Sequence, residues 1–505
     1  MLKRNLIANY LGQGWVALMG LAFIPIYIHQ LGMEAFGLIG LFGILAVWLS
    51  LLDMGMTPTL SREMARFTGG GHTPESIRDL LRSIEIIVIC LAIFIAGGIF
   101  LASNWLASSW LKAENLPIPV VAQAFAIMGL VTALRFVEGI YRSSIVGLQR
   151  QVLFNVVNST MATLRGLGAI GVLYWISPTI QAFFLWQGLI SVATLLLLSV
   201  TTYACLPSAG RSGRFSMDAL RGVWRFSGGM LGITLLALLL TQVDKILLSK
   251  MLTLSEYGNY TLAAIVSGGL YMLVSPITQT WFPRFNQLHA EYNQEGLVRA
   301  YHQGAQLVSV IAGSAALVLI VFSEDILRLW THDAELAKRV APLLSVLVLG
   351  NLLNTLMYIP SQMQLALGWT GLAVRINIVS LLIIIPAILW AVPLFGAIGA
   401  AWIWVGLNVG YVLIGAPLMY RRILTDEKWR WYLQDVCLPI FAGALAAITV
   451  KWLAPSNLSM IGQFSIIALA AFLTLVAAII ATPQLCKQIQ NILLARARLL
   501  LPHNF

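Results

Sequence analysis

Residues 31–42 read LGMEAFGLIGLF, and residues 252–263 read LTLSEYGNYTLA. The two stretches lie 221 residues apart, and within one residue the same offset relates Gly129 to Gly350, Asn155 to Asn377 and Arg62 to Arg284. A single match of this kind is chance. A constant offset held along much of each half points to an internal repeat.

What the repeat means depends on what separates its copies. The chain is 59% hydrophobic and 10% charged, with a mean hydropathy of +0.85. A water-soluble exterior on a chain of 505 residues would need far more charge. The apolar residues come in runs of about 20, the length that carries an α-helix across roughly 30 Å of hydrocarbon. Lipid offers the backbone no partners, so such runs must be helices, and the alternating pattern of a membrane barrel is absent. The runs fall at about 9–30, 36–60, 84–103, 120–141, 153–175, 181–203, 226–248, 257–282, 304–322, 340–366, 372–392, 398–420, 433–453 and 463–482. The expected fold is therefore all-α, a polytopic membrane protein of about fourteen transmembrane helices. Six spans separate the copies, an even number, so both enter the membrane in the same sense. That implies parallel repeats about an axis along the membrane normal, two pseudo-symmetric six-helix lobes with a central cavity. The lobes are expected at 1–210 and 211–425, with two further helices and a cytoplasmic tail at 426–505.

The formal net charge is +11. The basic residues sit in short connections between apolar runs and form no single stripe, so they read as an orientation signal and not as a nucleic-acid surface. With Lys3 and Arg4 inside, the inner side collects roughly 21 of the 31 lysines and arginines and the outer side about six. Arg62, Arg66, Arg78 and Arg82, then Arg211, Arg214, Arg221 and Arg225, then Arg421, Arg422, Lys428 and Arg430, and finally Lys487, Arg496 and Arg498 all fall inside. Both termini are thus expected in the cytoplasm. Cys90, Cys205, Cys437 and Cys486 make no CxxC or zinc pattern, and no disulfide is expected. The first apolar stretch is too long for a signal-peptide core and reads as a true first helix.

Charges inside spans are costly and should face a bundle interior or a wet cavity. They are Asp53, Glu85, Arg135, Glu138, Arg165, Asp244, Lys245 and Arg375. Asn155, Asn158, Ser159, Ala162 and Arg165 share one helical face, a polar stripe ending in a cation near mid-membrane. It reads as a cavity wall, against helix packing through amide and hydroxyl contacts as the alternative. Arg135 and Glu138, three residues apart, are placed to pair with each other, and substrate contact is the competing reading. Asp244 and Asp53 fit either ion coupling or a plain structural pair. Arg62 and Arg284, related by the repeat, should both stand at the inner mouth, where two planar forks suit a diphosphate, or else anchor to headgroups. Pro25, Pro58, Pro276 and Pro283 are expected to interrupt the first, second and eighth helices.

No GxSxG, Walker A, HExxH or Gly-rich nucleotide loop occurs, and the six histidines are scattered, mostly in loops. The longest connections are about 20 residues, too short for the large loop of a membrane enzyme that polymerises glycan. No enzyme activity and no cofactor is expected, so energy must come from an ion gradient or from the cargo's own.

The stretch NLIANYLGQGWVALMGLAFIPIYIHQLGMEAFGLIGLF (5–42), then LLDMGMTPTLSREMAR (51–66), resembles the start of the bacterial polysaccharide and O-antigen flippases. These form the polysaccharide transporter branch of the multidrug/oligosaccharidyl-lipid/polysaccharide exporter superfamily. LLTQVDKILLSKMLTLSEYGNYTLA (239–263) and SPITQTWFPRF (275–285) resemble the matching part of the second lobe. The resemblance implies movement of an undecaprenyl-diphosphate-linked oligosaccharide, an O-antigen or other surface-polysaccharide unit, across the bacterial inner membrane from cytoplasmic to periplasmic leaflet. It also implies alternation between inward- and outward-open states with H+ or Na+ antiport, and such a flippase can bind a polysaccharide polymerase complex. Arg62, Arg165, Asp244 and Arg284 fit the roles this implies by position; with the polar stripe and the other intramembrane charges, Arg62, Arg165, Arg284, Asn155, Asn158, Lys245 and Arg375 are the expected substrate-binding residues, and Asp244, Asp53 and Glu138 the expected ion-coupling ones. A drug exporter of the same superfamily would carry organic cations and want an anionic cavity, whereas this chain offers at least as many cations as anions there.

Overall fold

A computed structural model describes residues 2–53, 55–207, 211, 213–217, 220, 235, 238–369, 371–455, 458–482 and 485. The expected seventh span at 226–248 lies partly outside them, as do Arg221, Arg225, Cys486, Lys487, Arg496 and Arg498. Among the described residues there is no strand, and twelve helical stretches are long and apolar enough to cross a membrane. The chain divides into two compact units, 1–258 and 259–505.

The first unit holds α1 (Leu2–Ala22), α2 (Ile24–Leu49), α3 (Met56–Thr68), α4 (Pro74–Trp105), α5 (Ile118–Gly147), α6 (Gln151–Trp175), α7 (Ile180–Cys205) and α8 (residues 238–251). Helix α9 (Leu254–Ala290) crosses the division. The second unit continues with α10 (Gln294–Val321), α11 (Ser323–Thr331), α12 (Ala334–Leu356), α13 (Tyr358–Ala366), α14 (Gly371–Phe395) and α15 (Ala397–Gly410). It ends with α16 (Ala416–Tyr420), α17 (Lys428–Arg430), α18 (Leu438–Leu453) and α19 (Met460–Ile480).

The first two spans break where proline and glycine require it. Pro25 and Pro58 each sit in the first turn of a helix, Pro25 after a break at Phe23 and Pro58 after the short 3-10 helix Ser50–Asp53 and a left-handed Gly55. A proline is harmless there, because first-turn N–H groups have no intrahelical partner. Gly32 bends α2 with φ 80°, a conformation glycine alone adopts at no steric cost. The eighth span departs from expectation. Helix α9 runs unbroken through both Pro276 and Pro283, as transmembrane helices can when neighbours meet the freed backbone groups.

Burial follows lipid logic. Met56, Leu60 and Met64 of α3 pack with Ile77, Leu81 and Ile84 of α4 and with Ile140 and Ile145 of α5. Phe94 and Leu101 of α4, by contrast, stand 76% and 82% exposed. Side chains of that size left bare fit hydrocarbon, not water. In the second unit α18 and α19 pack on each other and both lie on α10.

Candidate functional site

The first unit gathers charge at one buried place. Helix α5 supplies Arg135, Glu138 and Arg142, spaced to share a face, and α6 supplies Arg165. Glu138 is buried, and it interacts electrostatically with Arg135, Arg142 and Arg165. Arg135 does not close the expected pair with Glu138. Its Nη2 donates to Gln187 Oε1 on α7 at 3.1 Å, and its guanidinium lies 4.6 Å over the Phe42 ring. Three cations thus face one carboxylate. Among the described residues, Arg165 Nε and Nη2 are buried without a hydrogen-bond partner. A guanidinium desolvated and unmet costs several kcal/mol, so this is a place where an anion would be stabilised.

The polar stripe of α6 splits between two faces. Asn155 donates to Asn9 Oδ1 at 2.6 Å, Asn9 donates to Gln151 Oε1 at 2.8 Å, and Trp15 donates to Thr163 at 2.8 Å, so this edge glues α6 to α1. Gly12 on α1 permits the approach, since a Cβ there would lie 2.4 Å from Asn155 Oδ1. Phe154, stacked under Arg142 at 5.7 Å, marks the α5-facing side that Arg165 shares. Asn158 is half-buried.

Asp53 caps α3. Both its oxygens accept from Thr57 N at 3.1 Å, and Oδ1 also takes the Thr57 hydroxyl at 2.7 Å. Arg62 grips its neighbour Glu63 through Nε at 3.0 Å and Nη2 at 2.7 Å. Glu63 also meets Arg66 at 3.0 Å and His72 at 2.7 Å. Burial works against its charged form, but the hydrogen bonds from His72 and Arg62 and the charge of Arg66 outweigh it and hold the carboxyl below the ordinary glutamate range. Lys245 donates to Thr241 O at 2.9 Å and lies 3.9 Å from Asp244.

In the second unit Arg284 donates to Gln287 at 2.9 Å and lines a groove of about 540 Å³ with Thr280, Asn293, Arg299 and Gln303. Arg375 is exposed on α14. The sequence reading passed over His302, which is fully buried on α10 between Asp435 and Glu427. Its partners lie 125 and 133 residues away, beyond any local pattern. A signal existed in the spacing of His302 and Gln306, one turn apart at the mouth of a span, and in Asp435 beside an apolar run.

Comparison with known proteins places the chain. Residues 2–289 match the family of polysaccharide biosynthesis proteins, and residues 230–390 match the MatE family. The chain is 21% identical to a candidate O-antigen transporter of Shigella flexneri, over 79% of this chain and 93% of that protein. It is 23% identical to the lipopolysaccharide biosynthesis protein WzxC of Escherichia coli strain K12, over 45% of each. Among solved structures it resembles the lipid II flippase MurJ in an inward closed conformation, with TM-score 0.69, 13% identity, and 94% and 98% of the two chains covered. It also resembles an inward-facing MATE multidrug transporter, with TM-score 0.62, 16% identity, and 82% and 96% covered. The first match spans more than half of the sequence, and the chain belongs to the polysaccharide biosynthesis protein family.

Proposed function

We propose that this multi-pass membrane protein flips an undecaprenyl-diphosphate-linked oligosaccharide from the cytoplasmic to the periplasmic leaflet of a bacterial inner membrane, with both termini in the cytoplasm. The observation that carries this reading is the Arg165 guanidinium, buried on α6 with two nitrogens unmet beside Arg135, Glu138 and Arg142. An excess of cations within the bilayer selects an anionic cargo, and planar forks suit phosphate oxygens and acidic sugars. Relatives named for O-antigen transport and lipopolysaccharide biosynthesis support the same cargo class.

In this reading Arg62 and Arg284, each at the cytoplasmic end of its unit, are the first cations a diphosphate meets. Both are already held by neighbouring acceptors, so the lipid binds by exchange, which favours release as much as capture. The glycan then contacts the Arg165 group, with Asn158, Lys245 and Arg375 as further polar contacts, while the polyprenyl tail stays in lipid. Alternation between inward- and outward-open states draws on an H+ or Na+ gradient, with Glu138, Asp244 and Asp53 as carboxylates available for coupling. The match to the MatE family favours a second reading, export of an organic cation.

The test is transfer between leaflets of reconstituted liposomes, using a labelled undecaprenyl-diphosphate oligosaccharide with and without an ion gradient. Transfer that requires the protein and is lost in Arg165→Ala supports the flippase. Export of a small organic cation without lipid transfer would move the chain to the drug-exporter reading.

A further inference from the structure

The flippase reading makes no use of a buried cluster of titratable groups in the second unit. On α10, His302 and Gln306 stand one turn apart. Opposite them residues Trp431–Cys437 form a π-helical segment, which turns Asp435 inward; such segments are often found at functional sites. His302 and Asp435 are fully buried. The His302 Nδ1 meets Asp435 Oδ2, its Nε2 meets Glu427 Oε2 at 2.8 Å, and Gln306 donates to Asp435 Oδ1 at 2.8 Å. Arg430 of α17 donates to Glu427 Oε2 at 3.3 Å. The other titratable groups about the ring are Tyr301 on α10 and Tyr420 on α16, bonded to each other at 2.6 Å, and Tyr432 beside Trp431.

A neutral imidazole has one N–H and one lone pair. With both ring nitrogens on carboxylate oxygens, a neutral ring between two ionised acids would aim its lone pair at a negative oxygen. The arrangement therefore holds one proton more than an ionised Asp435, a neutral His302 and an ionised Glu427 would. We propose that Asp435, His302 and Glu427 form a proton-binding site, in which a proton taken from water at Glu427 is passed by the imidazole toward Asp435.

The direction follows from burial. The Glu427 side chain is 22% exposed, whereas those of His302 and Asp435 are fully enclosed. Water reaches the first carboxylate and not the second. Loss of the proton leaves one ring nitrogen without a complementary partner, and the contact that yields is the one at the wet end. Glu427 immediately precedes α17 and the π-helical segment, so its release unties that turn from α10 while Asp435 stays bonded to His302 and Gln306. Proton occupancy thereby sets whether that turn is latched. Its use in coupling rests on the flippase reading above, but the site itself does not.

Full-length protein reconstituted in lipid would be examined by infrared difference spectroscopy between acid and alkaline pH, with and without sodium. Wild type should give paired carboxyl and imidazole protonation bands, which Asp435→Asn and His302→Asn each remove. Glu427→Gln, at a partly exposed position, should shift them and serves if a buried variant does not fold. In the same vesicles an imposed pH gradient should speed transfer of the lipid-linked glycan by wild type. Asp435→Asn should lose that response while keeping gradient-free exchange. Bands unchanged in Asp435→Asn and His302→Asn overturn the site, and so does a spectrum that answers to sodium but not to pH. Wild type that shows the bands yet moves no lipid-linked glycan supports the site and counts against the flippase.

Discussion

Gly37 and Gly258 face each other across a backbone contact that is the same from either side. A Cβ on Gly37 would lie 2.5 Å from Leu254 O, and a Cβ on Gly258 would lie 2.5 Å from Met33 O. The offset of 221 residues that carries Gly37 to Gly258 also carries Met33 to Leu254. The two glycines that the repeat offset relates thus make the same kind of close approach, each to a backbone carbonyl in the other's stretch.

Backbone cannot step aside as a flexible side chain can. Gly37→Ala and Gly258→Ala should each destabilise the protein by roughly 1–3 kcal/mol, the usual cost of overpacking. Gly43 lies on the same helix with nothing within 4 Å of its Cβ position. Gly43→Ala should instead gain up to about 1 kcal/mol of helix propensity. Thermal unfolding in detergent separates the signs, and equal losses in all three variants would dismiss the contact as the cause.

Much of this was legible because lipid makes hydrophobicity a direct readout of topology. The run 120–141 becomes α5 and the run 181–203 becomes α7, since a stretch that long and apolar has one way to satisfy its backbone. What stayed hidden was rotation and partnership. The stripe from Asn155 to Arg165 covers enough arc that its two ends face different helices, and one-dimensional spacing cannot say where α1 or α5 will sit. Arg135 lies one turn from Glu138 yet donates to Gln187, 52 residues away, on the helix α7 that packs against α5. The pairing of His302 with Asp435 is set wholly by tertiary structure.

Arg165 should separate function from folding. Arg165→Ala removes a buried cation with unmet donors, and Glu138 keeps Arg135 and Arg142 as cationic neighbours. Unfolding temperature should hold or rise, while transfer of an anionic lipid-linked glycan should fall tenfold or more, since a lost charge-assisted contact is worth about 1.5–3 kcal/mol. Arg165→Lys keeps the charge without the planar fork and should recover only part of the rate. Full transfer in Arg165→Ala would remove this group from the path.

Glu63 should make the α3 end of the first unit acid-sensitive. Its folded-state pKa is depressed, so the stability it contributes is fully present above the unfolded-state value and is lost as pH falls through the folded one. Wild type should therefore lose unfolding temperature on acidification below the ordinary glutamate range. Glu63→Gln should start lower, by roughly 1–3 kcal/mol, and show a flatter acid limb. Parallel limbs for the two proteins would place the acid sensitivity elsewhere.

Glu34 marks one difference between the two stretches of the repeat. Its counterpart by the repeat offset is Ser255, whose side chain is too short to do what Glu34 does. The buried carboxylate accepts Glu114 N at 2.9 Å, Asn115 N at 3.0 Å and Leu116 N at 2.9 Å, three successive amides of the turn between α4 and α5. Converging N–H groups of this kind form an anion cradle, and here the chain supplies its own anion. The same turn is tied to the second copy, for Lys112 O accepts Leu254 N at 2.9 Å and Trp110 donates to Ser249 at 3.1 Å. Glu34→Ala would leave buried amides unmet, at a cost of about 2–5 kcal/mol, and should open residues 112–116 to protease. Glu34→Gln keeps one acceptor oxygen and should lose about half as much. Because the turn holds Leu254 beside Gly37, Glu34→Ala should also erase most of the penalty of Gly37→Ala in the double variant. Strict additivity of the two losses would show that the turn and the glycine contact are independent.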